Sequence, residues 1–424
     1  MLKVSENPVG RLRVRGTRYY APSSIKARAS ELSEGTVLNF NDVSRAVLRL
    51  NRLRDLRITP DLKQGVEPGT VDVDLKVEDH LPLHGSIELN NRYSANTAKL
   101  RLNGSISYDN LWQAGHAAGF SFQTAPEEPR DATVYSAYYL ARFRETDWLT
   151  LMLQGTRQNS DVSTLGGIAV AGRGNVVGLR LMAALRGTES SAHSVSIGLD
   201  WKDFTEDVTI EDDKLASPLE YYPVSVNYGG SWTGPKSSTD LNLGLNFSLR
   251  GLGSKRSDFD NKRYGATGSY VYLRGDLSHT RELKNGGQFN SKLQGQLTGD
   301  SLTNTEQYSG GGLGTVRGYP ESSALGDNAV FGTLELRSRS LIPVDEKKSR
   351  EWRVYAFADG GWLGLNNPLP GQEDQFTLFS TGAGTRFKVR QHFNGSLDAA
   401  VPLQSAGSVE SGDWMITFRL WAEF

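Results

Sequence analysis

Residues 241–250 have the sequence Leu-Asn-Leu-Gly-Leu-Asn-Phe-Ser-Leu-Arg, in which a large apolar side chain occupies every second position. Successive side chains of a β-strand point to opposite faces, so this stretch predicts a strand with one apolar and one polar face. The same alternation recurs from His84 to the end of the chain, most clearly in residues 100–108, 289–297 and 414–424. Turns rich in Gly, Asn, Asp and Ser separate these segments. The C-terminal four fifths of the chain is therefore predicted to be all β.

The polar faces of these strands favour a transmembrane barrel over a soluble β-sandwich. Several predicted inward positions carry full charges, such as Arg101, Lys292 and Arg419, and a solid protein core would not tolerate them. Residues 79–424 have room for about sixteen strands of roughly 21 residues each, connections included. In hydrocarbon an open sheet edge is too costly, so the sheet must close. The sequence predicts a mainly β protein with a 16-stranded antiparallel transmembrane β-barrel in the outer membrane.

Composition excludes several other classes of protein. The net charge is −1, so nothing indicates a nucleic-acid partner. The chain has no cysteine, which excludes disulfides, thiol chemistry and Cys-ligated metal. A run of about 18 apolar residues, as a transmembrane helix needs, is absent. The first residues have no apolar signal-peptide core, so we expect a mature or shortened form of a secreted precursor.

Residues 1–78 show a different pattern, which predicts a small α+β domain with the order β-α-α-β-β. Residues 11–15 alternate as a strand, Pro22 opens a helix, and Asn39 is a suitable cap for a second helix. Two more strands are predicted at 56–59 and 71–78. The arginines of the second helix are most simply a solvated face; they are Arg45, Arg49, Arg52 and Arg54.

The last strand of this domain is the predicted docking edge. Its apolar residues share one face; they are Val71, Val73, Leu75 and Val77. Because an exposed sheet edge can accept an extended strand, we expect this strand to bind another protein.

Connections of the predicted barrel differ in length. Long connections are expected at 159–171, 204–219, 251–264 and 302–327, and a short one at 144–147. If both ends of the barrel sequence lie in the periplasm, the long connections are extracellular.

One long connection carries an unusual motif. Residues 308–321, Tyr-Ser-Gly-Gly-Gly-Leu-Gly-Thr-Val-Arg-Gly-Tyr-Pro-Glu, join a glycine run to the tetrapeptide Val316, Arg317, Gly318 and Tyr319. The following strand places Glu335 and Arg337 on its inward face. About forty residues after the motif, Phe357, Asp359 and Gly361 form a Phe-x-Asp-x-Gly pattern.

These motifs resemble the two-partner secretion transporters, also called the hemolysin-activator family, within the superfamily of the barrel-assembly insertases. The resemblance covers essentially the whole chain, including Leu81–Gly85 before the first barrel strand. It implies that the Val-Arg-Gly-Tyr tip of the sixth extracellular loop enters the lumen, where Arg317 pairs with Asp359. A charged group in a partly desolvated lumen needs such a bidentate partner. The residues alone leave open a solvated surface loop with Asp359 facing lumen water.

The resemblance also implies a function. Family members secrete, or secrete and activate, a large β-helical exoprotein such as a hemolysin or adhesin. The exoprotein's N-terminal secretion domain meets a periplasmic polypeptide-transport-associated (POTRA) domain, which residues 1–78 resemble. Other expected partners are outer-membrane lipid and the barrel-assembly machinery, which recognises a terminal amphipathic strand ending in phenylalanine, as Phe424 does here.

The chain departs from the family pattern in one respect, because we find one POTRA-like domain where two, with a plug helix and a Pro-rich linker, are usual. The rival interpretation is an insertase, although insertases typically carry more POTRA domains and a longer sixth loop. A general diffusion porin fits poorly, since it lacks the periplasmic domain and the Arg-Gly-Tyr motif.

No catalytic motif is recognisable, so we expect neither an enzyme nor a cofactor. The six histidines are scattered, and only His80 and His84 lie close together. The simpler interpretation is that this pair of histidines binds no metal. The acidic residues 211–213 are more simply a solvated loop tip than a calcium site.

Overall fold

The computed structural model describes residues 6–143, 146, 148–163, 170–210, 213–345, 349–390 and 392–424. Its contacts divide the chain into two compact units. The first contains residues 1–84, 106–119 and 139–150, and the second contains residues 85–105, 120–138 and 151–424. About 59% of the described residues are in strands and 7% in helices.

The N-terminal part of the first unit has the predicted element order. Its elements are β1 (Val9–Arg15), α1 (Pro22–Arg28), a 3-10 turn (Ser30–Leu32), α2 (Phe40–Leu50), β2 (Leu56–Gln64) and β3 (Val71–Asp79). The Asn39 side chain caps α2 by accepting from the backbone N–H of Asn41 at 2.9 Å, as predicted. The buried faces of both helices pack on the sheet, and Ile25, Leu50 and Leu75 are at most 1% exposed.

The predicted docking edge is wrong, because β3 is the central strand of its sheet. The strand order is β1-β3-β2, with β1 parallel and β2 antiparallel to β3. Both sides of β3 are therefore hydrogen-bonded. Its apolar side chains serve the core instead, since Val73, Leu75 and Val77 are buried and Val71 is half-buried at the strand's start.

Sixteen antiparallel strands close into a barrel within the described residues, as predicted. They are β4 (Leu83–Asn90), β5 (Arg101–Leu111), β6 (His116–Thr124), β7 (Ala132–Arg142), β8 (Leu149–Ser163), β9 (Val170–Thr188), β10 (Ser191–Ile210), β11 with β12 (Asp213–Tyr221 and Val224–Gly234), β13 (Ser237–Ser248), β14 (Tyr270–Glu282), β15 (Gln288–Thr298), β18 (Asn328–Arg337), β19 (Glu351–Gly364), β20 (Gln375–Val389), β21 (Phe393–Pro402) and β22 (Met415–Glu423). Segments β11 and β12 are two parts of one strand, because both pair with β10. Strand β22 pairs with β4 from Arg419↔Asn90 to Glu423↔Ser86 and closes the sheet.

The predicted faces of the strands are confirmed. Large apolar side chains on the outer surface are exposed, for example Leu243, Leu245 and Leu293. Charged residues such as Arg101 and Glu335 are buried on the other face. A surface that is apolar outside and polar inside suits a barrel surrounded by hydrocarbon.

Two connections differ from the prediction. Residues 204–219 are not a loop, because β10 and β11 pair continuously from Lys202↔Tyr221 to Ile210↔Asp213. The four β-branched residues of this segment all lie between Thr205 and Ile210, in the part that continues β10, and such residues favour strands. The connection at 251–264 contains a helix, α3 (Arg256–Lys262), that the sequence did not reveal.

Several predicted turns fall partly outside the described residues. They are 164–169 of the connection at 159–171, residues 144, 145 and 147 of the short connection, and residues 211 and 212 of the acidic tip. No helix in the described part of the chain has both the length and the apolar character needed to cross a lipid bilayer.

Candidate functional site in the loop between β15 and β18

The connection between β15 and β18, residues 299–327, folds back on itself and is here called loop six. A two-stranded hairpin forms its stem, with β16 (Tyr308–Gly310) paired to β17 (Ala324–Gly326). The tip contains three glycines with positive φ, at Gly311, Gly312 and Gly318. A side chain at Gly312 would also collide with the carboxyl group of Glu321, 2.3 Å from the position of an added Cβ. Glycine is therefore required for this tight path.

Arg317, at the tip of loop six, is 6% exposed and is bound by the barrel wall. Its Nε and Nη2 donate to the two carboxylate oxygens of Asp359 at 2.7 and 3.0 Å. This is the bidentate contact that the family resemblance implied. The backbone N–H of Arg317 also donates to Asp359, at 3.2 Å. The solvated-loop alternative is thus ruled out in this structure.

Two further carboxylates complete the binding site for Arg317. Its Nη1 donates to Glu335 at 2.8 Å and to Asp398 at 3.2 Å. The guanidinium carbon lies 3.4 Å from the ring centroid of Phe357, a cation–π contact. Strands β18, β19 and β21 each supply one carboxylate, so the tip is held by three separate strands.

Other barrel residues balance the charge of this cluster. Arg337 Nε donates to Glu335 at 2.5 Å, and Arg386 Nη2 lies 3.6 Å from the same carboxylate. The hydroxyl of Tyr355 donates to Asp398 at 2.9 Å. Three guanidinium groups and three carboxylates therefore share the cluster. Such compensation is what makes burial of so many charges tolerable.

The remaining motif residues allow the tip of loop six to pack closely against the barrel wall. Val316 and Tyr319 are at most 1% exposed, and the Tyr319 hydroxyl donates to the carbonyl of Gln404 at 2.5 Å. An added Cβ at Gly361 would lie 2.0 Å from the ring of Phe331, which packs against loop six. An added Cβ at Gly318 would lie 3.2 Å from Ala400, on a backbone with φ +92°. The sequence-predicted motif residues thus lie together in one site.

A second anchor of loop six, of opposite charge, was not found from the sequence. The Glu306 carboxylate is 2% exposed and pairs with Lys202 of β10. It accepts hydrogen bonds from the hydroxyls of Tyr221 at 2.6 Å and Tyr272 at 2.8 Å. Its backbone carbonyl accepts from Arg274 at 3.2 Å.

The base of loop six lies in an apolar cluster with the connection that contains α3. Phe259 of α3 packs edge-on against Tyr221, with ring centroids 5.7 Å apart, and Leu302 of loop six is fully buried in the same cluster. Loop six is therefore fixed at its base as well as at its tip.

A third contact joins loop six to residues 91–100, the connection after β4. Arg92 Nε donates to Glu321 at 2.7 Å, and the backbone N–H of Glu321 donates to the carbonyl of Tyr93 at 2.9 Å. Ser94 forms an isolated parallel bridge with Glu321. Loop six thus contacts strands or connections on several sides of the barrel.

Beside loop six the lumen keeps a polar cavity of about 690 Å³. Its lining includes Arg180, Asn242, Lys292, Gln294 and Gly314. Gln294 also donates to the carbonyl of Gly314 at 2.7 Å, so the loop forms one wall of this cavity.

Comparison with known proteins identifies the family. The family model described as "Haemolysin secretion/activation protein ShlB/FhaC/HecB" matches residues 69–387, most of the chain. The chain belongs to this family. The matched residues include the whole of loop six and the Asp359 motif, so the family assignment and the site geometry concern the same part of the molecule.

Individual relatives are distant in sequence. An outer membrane transporter CdiB of Dickeya dadantii is 24% identical over 333 residues, which are 72% of this chain and 54% of that protein. The chain thus spans about half the length of this curated relative. The chain lies in the outer membrane, as the relatives named outer membrane transporters do.

Solved structures show the same fold. CdiB from Escherichia coli superposes with a TM-score of 0.75 at 20% identity, covering 99% of this chain and 77% of that one. BamA from Haemophilus ducreyi lacking POTRA domains 1–3 gives a TM-score of 0.67 at 15% identity, covering 99% and 85%. This chain therefore shares its architecture with both proteins.

Proposed function

We propose that this protein is an outer-membrane transporter that secretes a large exoprotein through its barrel lumen. The buried ion cluster of Arg317 carries the proposal, because it holds the glycine-rich loop six inside the lumen. A loop that is bound by ion pairs rather than by continuous strand pairing can be released without unfolding the barrel. Loop six then acts as a gate, or holds the barrel in its working conformation.

The polar lumen supports passage of an extended chain. The lining of the cavity beside loop six includes hydroxyl, amide and cationic side chains, for example Ser196, Asn227 and Arg180. Such a lining offers hydrogen bonds to the peptide groups of a polypeptide in transit. Passage needs no nucleotide, because folding of the exoprotein outside the cell supplies the driving force.

We further propose that residues 1–78 form a periplasmic POTRA domain that receives the exoprotein's N-terminal secretion domain. The free edge for strand addition is β2, not β3. The outer edge of β1 is covered along its first half, since Val9 exchanges backbone hydrogen bonds with Gly35 and Thr36 at 2.8 Å and the N–H of Leu12 donates to Glu34 at 3.2 Å. Among the described residues β2 has a ladder partner on one side only. An extended segment can therefore pair with it.

Two more partners belong to the proposal. Outer-membrane lipid surrounds the exposed apolar face, and the barrel-assembly machinery inserts the protein by way of its last strand, β22. Whether the exoprotein is activated as well as exported follows from its own chemistry. Export is the step that both cases share.

The experiment is to delete the gene and restore it on a plasmid, with two readouts. One is the amount of the partner exoprotein in the medium, and the other is the level of several unrelated outer-membrane proteins. Loss of the exoprotein alone, restored by the plasmid, supports the transporter. Loss of the unrelated barrels instead would support the insertase interpretation and contradict the proposal.

A further inference from the structure

Three ligand-type side chains from distant parts of the sequence meet within the first unit. Asp55 lies between α2 and β2, His84 near the start of β4, and Asp109 in β5. The ligand atoms of the three side chains lie within 4.8 Å of one another. His84 Nε2 is 2.9 Å from Asp55 Oδ2 and 3.9 Å from Asp109 Oδ2. One imidazole nitrogen thus faces two carboxylates.

Backbone hydrogen bonds hold this arrangement in place. The carbonyl of Asp55 accepts from the N–H of His80 at 3.0 Å, and the N–H of Asp109 donates to the carbonyl of Pro82 at 2.8 Å. The segment that carries His84 is therefore fixed between the two aspartates. The side chains are largely shielded, at 7% exposure for Asp55, 16% for His84 and 20% for Asp109.

In the part of the chain that the structure describes, the two carboxylates of the trio form ion pairs with its histidine alone. Within the described residues, neither Asp55 nor Asp109 forms an ion pair with a lysine or arginine. A neutral imidazole can donate one hydrogen bond from Nε2, to one of the two carboxylates. Two shielded carboxylates around one imidazole therefore favour an added positive charge, because nearby like charges are costly in partly desolvated surroundings.

The separations fit a bound divalent metal ion. Bonds of about 2.1 Å from a zinc ion to nitrogen and oxygen ligands place tetrahedral ligands about 3.4 Å apart. The distances of 2.9 and 3.9 Å bracket this value, so small side-chain rotations suffice. One imidazole and two carboxylates suit zinc or manganese, with water in the remaining positions.

We propose that Asp55, His84 and Asp109 form a binding site for a divalent transition-metal ion. The ion would join three chain segments that are otherwise held by hydrogen bonds, and so would stiffen the first unit. His80, four residues before His84, is exposed and takes no part. This site is independent of the proposed transport function.

The test is metal binding by the full-length protein in detergent, purified with a tag that contains no histidine. After EDTA treatment, Zn²⁺ is titrated by calorimetry, and Co²⁺ absorption reports the ligand geometry. We expect one Zn²⁺ per chain in the wild type and in His80→Ala. Binding should fall at least about tenfold in Asp109→Asn and in His84→Ala.

Retained heat-modifiable migration in gels shows that each variant is still a folded barrel. The isosteric Asp109→Asn change keeps the test valid if His84→Ala fails to fold. Wild-type affinity weaker than about 100 µM would overturn the proposal, as would undiminished binding by both Asp109→Asn and His84→Ala.

Discussion

Loop six is held by two anchors of opposite charge, and they differ in how they are built. At the tip, Arg317 enters a cluster of three carboxylates that two other arginines balance. At the base, Glu306 meets one lysine and two tyrosine hydroxyls. The tip anchor is therefore mainly ionic, whereas the base anchor shares its charge with neutral donors. Loss of the tip residue should leave more uncompensated charge behind.

The largest effect is expected for Arg317→Ala. Removing one partner of a buried ion pair costs about 3 to 5 kcal/mol of stability. Here the substitution removes the arginine that three carboxylates share. The loop tip should then leave its site at least about a hundred times more often. Because the chain has no cysteine, Val316→Cys provides a single reporter. Its labelling by a polar maleimide should be slow alone and fast together with Arg317→Ala.

The matched control is Arg339→Ala, which removes an exposed arginine beyond β18. Labelling of the Val316→Cys reporter should be unchanged by it. Equal labelling with and without Arg317→Ala would show that the ion cluster does not hold the tip.

A smaller effect is expected for Glu306→Gln. The amide still accepts a hydrogen bond from one tyrosine, and Lys202 is 17% exposed and can reach water. We expect a cost of about 1 to 3 kcal/mol. A cysteine at Leu302, which is fully buried in the wild type, reports on the loop base. Its labelling should rise less than that of the tip reporter does in Arg317→Ala; a larger rise would reverse the ranking of the two anchors.

A double-mutant cycle tests whether the two anchors hold loop six independently of each other. Arg317→Gln combined with Asp359→Asn should show a coupling energy of about 0.5 to 3 kcal/mol, since the two side chains are in contact. Arg317→Gln combined with Glu306→Gln should be additive to within about 0.5 kcal/mol, because the described contacts give them no common partner. Strong coupling in the second pair would mean that tip and base move as one element.

The smallest effect concerns Asp79, a half-buried carboxylate at the end of β3 in the first unit. Burial raises its pKa, but hydrogen bonds from the backbone N–H groups of Tyr19, Arg18 and Tyr20 outweigh burial and hold the pKa below its usual value. A depressed folded-state pKa contributes stability above the unfolded value of about 3.9, and this is lost as pH falls through the folded value.

The measurement is hydrogen exchange of the peptide containing residues 16–22, compared between wild type and Asp79→Asn. Protection should be greater in the wild type at neutral pH, by about 1 kcal/mol. The difference should shrink as the pH falls below about 4. A difference that is independent of pH would mean that the charge of Asp79 is unimportant.

The sequence predicted the barrel well because alternation with a period of two is repeated in strand after strand. It could not predict which strand of the N-terminal sheet is central. Val71–Val77 alternates equally well at an edge or in the middle, and the parallel pairing of β1 with β3 is a long-range choice. The β10–β11 extension was missed for a related reason, since its polar residues resemble loop sequence.

The candidate site was predictable in part. Arg317 and Asp359 belong to recognisable motifs, so their contact was expected. Glu306 stands in an irregular connection without a periodic pattern, and its partners Lys202, Tyr221 and Tyr272 come from three other segments. Asp398 could have been suspected from its inward position in β21, but nothing local distinguishes it. Tertiary contacts of this kind leave no local trace in one sequence.

Secretion of the partner exoprotein by cells that carry Arg317→Ala, compared with Arg339→Ala at equal barrel abundance in the outer membrane, tests the central claim most directly. The account predicts that secretion falls by about tenfold or more with Arg317→Ala and is unchanged with Arg339→Ala, because only the first releases the loop. Normal secretion by a folded Arg317→Ala barrel would contradict the claim that the anchored loop controls transport.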